Sequence, residues 1–416
     1  MGGRHKRRRS DPSRDGERDH YRASTRVRSH VASGSSDDDD DGRDSMHYSF
    51  RVGELLKSRY RTLSLLGTGT FGKVILCHDE RSERDVAIKV VRAIYKYSSE
   101  ATVEARILAD VLERARAQCR RIPIVELFDR FEHRGHVCLV FERLGHTLLE
   151  AVELARTPHE HGASSYLCLR TVQSVARSLF DALAFLHGLS LSHTDLKPEN
   201  ILFVDAPGTL AAKQLAAGNA VPHGAAGGLR DTPQQQPQQP PTVKLIDFGG
   251  ATFANEHHSE IVCTRQYRPP EVTLGMRWGC EVDLWSSGCI LAELYTGHVL
   301  FATHDEAEHL ALMERCLGAI PRRMARAASE RAQRRWFVQG VLHWPQIATD
   351  RKSERHVRES ARLKDTIARD RPWTRAHDEF LSLLHRLLEY LPEHRITARE
   401  ALLHPFLTME IPPGVA

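Results

Sequence analysis

The strongest chemical signal lies between residues 192 and 249, in Ser192-His193-Thr194-Asp195-Leu196-Lys197-Pro198-Glu199-Asn200 and then Lys244-Leu245-Ile246-Asp247-Phe248-Gly249. An acid at Asp195 can orient a hydroxyl and accept its proton. Lys197 can stabilise a phosphoryl group in transfer, and Asn200 with Asp247 can hold Mg2+. Catalysis of that kind works by positioning and charge neutralisation, with little covalent chemistry for the protein to do. Upstream, Gly67-Thr68-Gly69-Thr70-Phe71-Gly72-Lys73-Val74 is a glycine-rich run whose backbone can bend over phosphates and turn N–H groups toward their oxygens. Lys89 ends Val86-Ala87-Ile88-Lys89, seventeen residues after Gly72, and Glu104 follows fifteen residues later. An ammonium there is costly to bury alone, but it is useful if it grips the α- and β-phosphates of ATP while a carboxylate holds it. By themselves the glycines read as a hairpin turn, and Lys89 and Glu104 as an exposed strand end and a solvated helix residue. Beside the 192–249 motifs they complete one set.

Positioning such a set requires strands for the glycine-rich run and Lys89, and a helix for Glu104. Short segments rich in β-branched and aromatic residues (YRTLSLLG, KVILCHD, DVAIKVV, VCLVFER) predict a small antiparallel sheet. The strand-loop-strand setting of the glycines argues against a dinucleotide-binding fold. Val103, Ile107, Leu108, Val111 and Leu112 recur at helical spacing and predict a helix over about 98–115 with these residues on its apolar face. After Thr147 the pattern turns helical, with TVQSVARSLFDALAFLHGL and FLSLLHRLLEYL the best-patterned amphipathic stretches. The expected fold is therefore α+β and bilobal: a small β lobe with one helix over 55–145, and a larger helical lobe over 146–410. Residues 206–242, rich in Ala, Gly, Pro and Gln, predict a low-complexity surface loop. That loop must bring its ends, Asn200 and Asp247, together.

The chain has 416 residues, 41% hydrophobic and 27% charged, a globular composition that leaves room for a substantial core. It contains no apolar run long enough to cross a membrane and no signal-like N-terminus, so an intracellular, membrane-free protein is expected. The eight cysteines lack paired CxxC spacing and read as reduced structural thiols. His257 and His258 are adjacent and would point to opposite faces of a strand, which disfavours a metal site. Residues 1–30 carry ten basic against four acidic residues, and residues 31–45 carry six acidic against one basic. With few large apolar side chains, residues 1–50 read as a disordered tail, basic then acidic. Lys6-Arg7-Arg8-Arg9 reads as a nuclear address, a weak nucleic-acid contact or a solvating tail.

Taken together these motifs resemble those of eukaryotic protein kinases, and more narrowly the chain is similar, over residues 55–410, to the CDC-like (LAMMER) dual-specificity kinases. Glu308-His309-Leu310-Ala311-Leu312-Met313-Glu314-Arg315 is one residue from the EHLAMMER signature, with Leu312 in place of Met. His193 to Phe203, Glu256-His257-His258-Ser259, Thr264 to Arg268, and Thr303-His304-Asp305 carry the rest of the likeness; Pro269 stands where Ala is commoner. The resemblance implies transfer from MgATP to Ser and Thr of Arg/Ser-rich proteins, autophosphorylation that includes Tyr, and a nuclear role in splicing or at kinetochores. It implies a nucleotide site built from Leu66, the run Gly67 to Val74, Ala87 and Leu202, with Phe141 at the back of the pocket and Glu142 to Leu144 at the adenine-binding hinge. Arg268-Pro269-Pro270-Glu271 with Arg395 suggests either a tie between the activation segment and the C-terminal helices or a surface pair. Asp283 suggests a helix cap or a brace for the catalytic loop. Thr194 stands where phosphorylation-switched kinases have an Arg, so activity without activation-segment phosphorylation is expected. The other readings are a catalytically silent scaffold, which predicts loss of one of Lys89, Asp195, Asn200 or Asp247, and a nucleic-acid-associated protein acting through the basic tail. A monomer is the default.

Overall fold

The computed structural model describes residues 47–156, 167–204, 241–368 and 372–412. The small lobe is built by strict alternation. In β4 (Arg84–Val91), Val86, Ile88 and Val90 are buried on one face, leaving Ala87 and Lys89 on the other. β1 (Leu55–Leu56), β2 (Tyr60–Gly69), β3 (Gly72–Asp79), β4, β5 (Leu127–His133) and β6 (His136–Glu142) form one antiparallel sheet in the order β1-β2-β3-β4-β6-β5. Opposed residues share a face, so Val74 lies beside Lys89, and Leu76, Ala87 and Phe141 form a row.

Helix α1 (Tyr95–Ala117) connects β4 to β5. Its buried stripe is Ala101, Glu104, Ala105, Ile107, Leu108, Val111, Leu112 and Ala115, whereas Val103, placed on the apolar face by its sequence spacing, is 38% exposed. The helix is rotated so that Glu104 faces the lobe, because an ion partner waits there. The expected tail also ends earlier than residue 50. Tyr48 is buried and packs edge-on against His133 and His136, and Phe50 packs beside it on the sheet core. The rest of the tail lies outside the described residues.

The large lobe begins with α2 (Leu148–Arg156) and α3 (Leu169–Gly188), the latter buried along most of its length. Two short strands, β7 (Leu191–Ser192) and β8 (Ile201–Phe203), flank the 192–200 motif. β8 pairs with β9 (Val243–Leu245) in the register Ile201↔Leu245, and β7 pairs with β10 (Thr252–Phe253). The β8–β9 register closes the base of the insertion as expected and sets Asn200 against Ile246, whose N–H donates to the Asn200 carbonyl at 3.0 Å. Nearly all of the insertion lies outside the described residues. Helix α4 (Glu281–Thr296), stopped by left-handed Gly297, runs through the core of this lobe. Around it lie α5 (Glu306–Leu317), which carries the EHLALMER segment, and α6 (Arg375–Leu387).

Candidate active site

Chain segments far apart in sequence converge on a cleft of about 380 Å³ lined by Phe71, Lys89, Glu104, Asp195 and Asp247, among others. Lys89 Nζ donates to Glu104 Oε2 at 2.9 Å and to Asp247 Oδ1 at 3.1 Å. Desolvation opposes the Lys89 charge, yet Glu104 and Asp247 together hold it above the ordinary lysine value. Burial pushes the Glu104 carboxyl up against the pull of Lys89. Asp247 is lowered despite its burial, first by Lys89 and then by His193 and Lys197. The lysine–carboxylate pair expected from the sequence is thus a largely buried bridge from α1 through the sheet to the Asp247 segment.

The catalytic loop is assembled from behind. Asp283, buried at the start of α4, accepts the N–H of His193 at 2.8 Å, the N–H of Thr194 at 2.9 Å and a contact from His187 at 2.9 Å. Asp283 therefore braces the loop; the N-cap position of α4 is Cys280. His193 reaches the Ile246 carbonyl at 3.0 Å and packs edge-on against buried Phe248. Thr194 and Asp247 both adopt left-handed backbone, φ +68° and +61°, a strained geometry of the kind concentrated at functional sites. Asp195 is then oriented from both sides. Lys197 Nζ lies 2.7 Å from its Oδ2, and Thr264 donates to its Oδ1 from the hydroxyl at 2.7 Å and from the N–H at 3.2 Å. Asp195 holds Lys197 above its usual value although desolvation pulls the other way. Thr264 appeared in the sequence only as part of a family motif; its hold on Asp195 depends on a tertiary approach across 69 residues.

Asn200 donates its amide N–H to the Asp195 carbonyl at 2.9 Å and to Asp195 Oδ2 at 3.3 Å. Its amide oxygen and Asp247 Oδ2 have no hydrogen-bond partner among the described residues. These two free hard oxygens beside the phosphate-facing lysines fit a divalent cation that takes its remaining ligands from phosphate and water.

On the nucleotide side, Gly67 pairs with Val74, Thr68 with Lys73 and Gly69 with Gly72, so Thr70 and Phe71 form the hairpin tip. A side chain at Gly67 or Gly69 would meet nothing within 4 Å, whereas at Gly72 (φ +150°) it would come within 2.1 Å of the Val90 carbonyl. Gly72 is required by the fold, and the other two keep the approach open. Leu66, on β2 just before Gly67, is 52% exposed. Phe141 packs on the cluster formed by Val91, Leu139, Ala101 and Ala105, which places it between sheet and α1. Glu142 uses its carboxylate on Lys244 at 2.6 and 2.8 Å and on the Glu126 N–H at 2.7 Å, so only its main chain is available to a nucleotide. Leu144 and Leu202 are half-buried against the large lobe, where Leu202 bridges to Thr147.

A lysine held by a helix carboxylate, a base held by a second lysine and two free metal-type donors under a glycine-rich hairpin define a phosphotransferase that works on a nucleoside triphosphate. The protein kinase domain family matches residues 60–407. The chain is 41% identical over 374 residues to serine/threonine-protein kinase AFC3 of Arabidopsis thaliana, covering 89% of this chain and 86% of that one. It is 37% identical over 376 residues to dual specificity protein kinase CLK2 of Homo sapiens, covering 89% and 68%. A solved kinase-domain crystal structure matches with a TM-score of 0.70 at 33% identity, over 88% of this chain and 99% of that one. The chain belongs to the protein kinase family and, within it, to the CDC-like or LAMMER kinases. It is a serine/threonine and dual-specificity type protein kinase that uses ATP and a divalent metal.

Proposed function

We propose that this kinase, with Mg2+ as its metal, phosphorylates serines in Arg-rich segments of nuclear proteins that act in pre-mRNA splicing or at kinetochores. The observation that carries the substrate class is Glu199. Its side chain is exposed, one residue before Asn200, and makes no ion pair among the described residues. Desolvation raises its carboxyl, with Asp195 and Glu153 of α2 adding to the rise, while a backbone hydrogen bond and Lys197 pull the other way. An exposed acid four residues after the catalytic base, with Glu153 near enough to act on it, suits an incoming guanidinium, which would relieve the repulsion between the two. In this reading MgATP supplies the phosphoryl group when bound. Asp195 orients the substrate hydroxyl and accepts its proton, Lys197 and Lys89 neutralise charge, and Asn200 and Asp247 hold the metal.

All four residues whose loss would mark a silent scaffold are present and engaged, which disfavours that reading. The Lys6–Arg9 run supports nuclear location and leaves room for a phosphate-driven, salt-sensitive nucleic-acid contact.

The test offers labelled MgATP and two peptides, one of Arg-Ser repeats and one Pro-directed, to the wild type, Asp195→Asn and Glu199→Gln. Label on the Arg-Ser peptide, abolished by Asp195→Asn and with KM raised about three- to fivefold by Glu199→Gln, is the expected outcome. Label confined to the Pro-directed peptide would overturn the substrate class and leave the kinase intact.

A further inference from the structure

The tip of the glycine-rich hairpin leans on α1. The ring of Phe71 meets Tyr97, in the first turn of α1, edge-on at 5.3 Å with the planes 82° apart. Lys89 Nζ lies 6.0 Å from the Phe71 centroid, and the Arg92 guanidinium lies 5.9 Å from that of Tyr97, so two cations flank the two rings. The contact is no free swing of an exposed side chain. The Phe71 carbonyl accepts the Arg92 N–H at 2.9 Å, and Gly72 seats the tip directly on the Val90 carbonyl. Tyr97 stands seven residues, two helical turns, before Glu104, and so on the same side of α1. Both residues line the cleft that also holds Asp195 and Asp247.

We propose that Tyr97 is a positioning residue: it latches the glycine-rich hairpin closed over the phosphates, and only when α1 sits where Glu104 pairs with Lys89. The hairpin belongs to the β2–β3 pair and α1 follows β4, and the Phe71–Tyr97 contact joins the two elements. Lys89 stands at both joints, bound to Glu104 and beneath Phe71. A shift of α1 that breaks the ion pair also carries Tyr97 away from Phe71, so the lid loses its stop as the lysine loses its carboxylate. Closing the lid thereby favours the paired lysine, and pairing favours the closed lid. The contact requires the ring of Tyr97; no hydrogen bond from its hydroxyl is part of it.

Steady-state kinetics of the full chain, with ATP titrated at saturating peptide, tests this. Tyr97→Ala and Phe71→Leu should each raise KM for ATP about three- to tenfold, the scale of one lost aromatic edge contact. The double variant should be no worse than the poorer single one. Tyr97→Phe should behave as wild type, and the peptide KM and melting temperature of Tyr97→Ala should not move. An unchanged KM for ATP in Tyr97→Ala, additive effects in the double variant, or a Tyr97→Phe as impaired as Tyr97→Ala would each overturn the latch. So would a fall in melting temperature that accounts for the loss.

Discussion

At the scale of single residues, the signature helix hides the least expected group. His309, the second residue of EHLALMER, is fully buried against the Phe301 ring, and its Nε2 has no hydrogen-bond partner among the described residues. Burial, helped by Arg268 and Arg265, lowers its pKa from 6.5 to about 3. The folded state therefore keeps His309 neutral while the unfolded chain takes up a proton below pH 6.5. Stability tied to this residue is fully present above that pH and is lost as pH falls toward 3. Between pH 6.5 and 5 the loss amounts to about 2 kcal/mol. In urea denaturation, the stability of His309→Leu relative to wild type should improve by about that amount over the same interval; a pH-independent difference would refute the assignment. The chemistry of His193 to Asn200 and of Asp247 was legible in the sequence because each lies in a compact motif of residue types suited to phosphoryl transfer, although the β8–β9 pairing is what sets the two motifs side by side. The state of His309 was not, since spacing says which face of a helix a residue occupies but not what lies across from it. Thr264 and Glu199 were hidden for the same reason.

At the scale of elements, the tie between the activation segment and the C-terminal helices shows how burial decides between two readings. Arg395 meets Glu271 in two bonds of 2.7 and 3.0 Å, both side chains have no exposed surface, and the remaining guanidinium donors reach the carbonyls of Glu281 and Glu389. A surface pair would contribute almost nothing, but this one cannot lose a partner without stranding a buried charge. Arg395→Met should cost about 3–5 kcal/mol, read as a fall in melting temperature by calorimetry, and Glu271→Leu together with Arg395→Met should recover much of it. A loss no larger than that of an exposed pair would show that the site rearranges. The pairing was suggested by residue types, yet its weight was invisible without the fold. Helix α1 teaches the converse. Its existence was plain from periodicity and its Glu104 was matched to Lys89, but Val103 was set on the buried face by its spacing, and the turn that brings Glu104 onto Lys89 leaves Val103 exposed. Strand β5, LFDRFEH, escaped notice because its alternation is weak and only Phe131 is buried.

At the scale of the whole molecule, the question is what holds the activation segment in place in a kinase that has Thr194 where a phosphate-binding Arg would stand. Several of the chain's own side chains support the segment. Thr194 donates its hydroxyl to the Gly250 carbonyl at 2.7 Å, and β10 is zipped to β7, just ahead of the catalytic loop. Trp278 donates to the Ser259 carbonyl at 2.9 Å while stacking on His258 at 4.2 Å. Arg268, which in position and charge is the nearest candidate to receive a phosphate, donates to the carbonyls of Val262 and Cys263, each at 3.0 Å. Tyr267 donates to Glu293 at 2.7 Å within the core, and Thr264 closes the path onto Asp195. A phosphate typically orders such a segment by one to three charge-assisted hydrogen bonds to arginines, and the hydrogen bonds and stacking named above are contacts that need none to form. Meanwhile the Lys89–Glu104–Asp247 bridge already joins the small lobe to the large one. Enzyme treated with phosphatase and verified free of phosphate by intact mass should therefore keep most of its peptide-kinase activity, with KM for ATP unchanged. Loss of nearly all activity, restored on incubation with MgATP, would mean that a phosphorylated residue does what Thr194, Trp278 and Arg268 are here assigned.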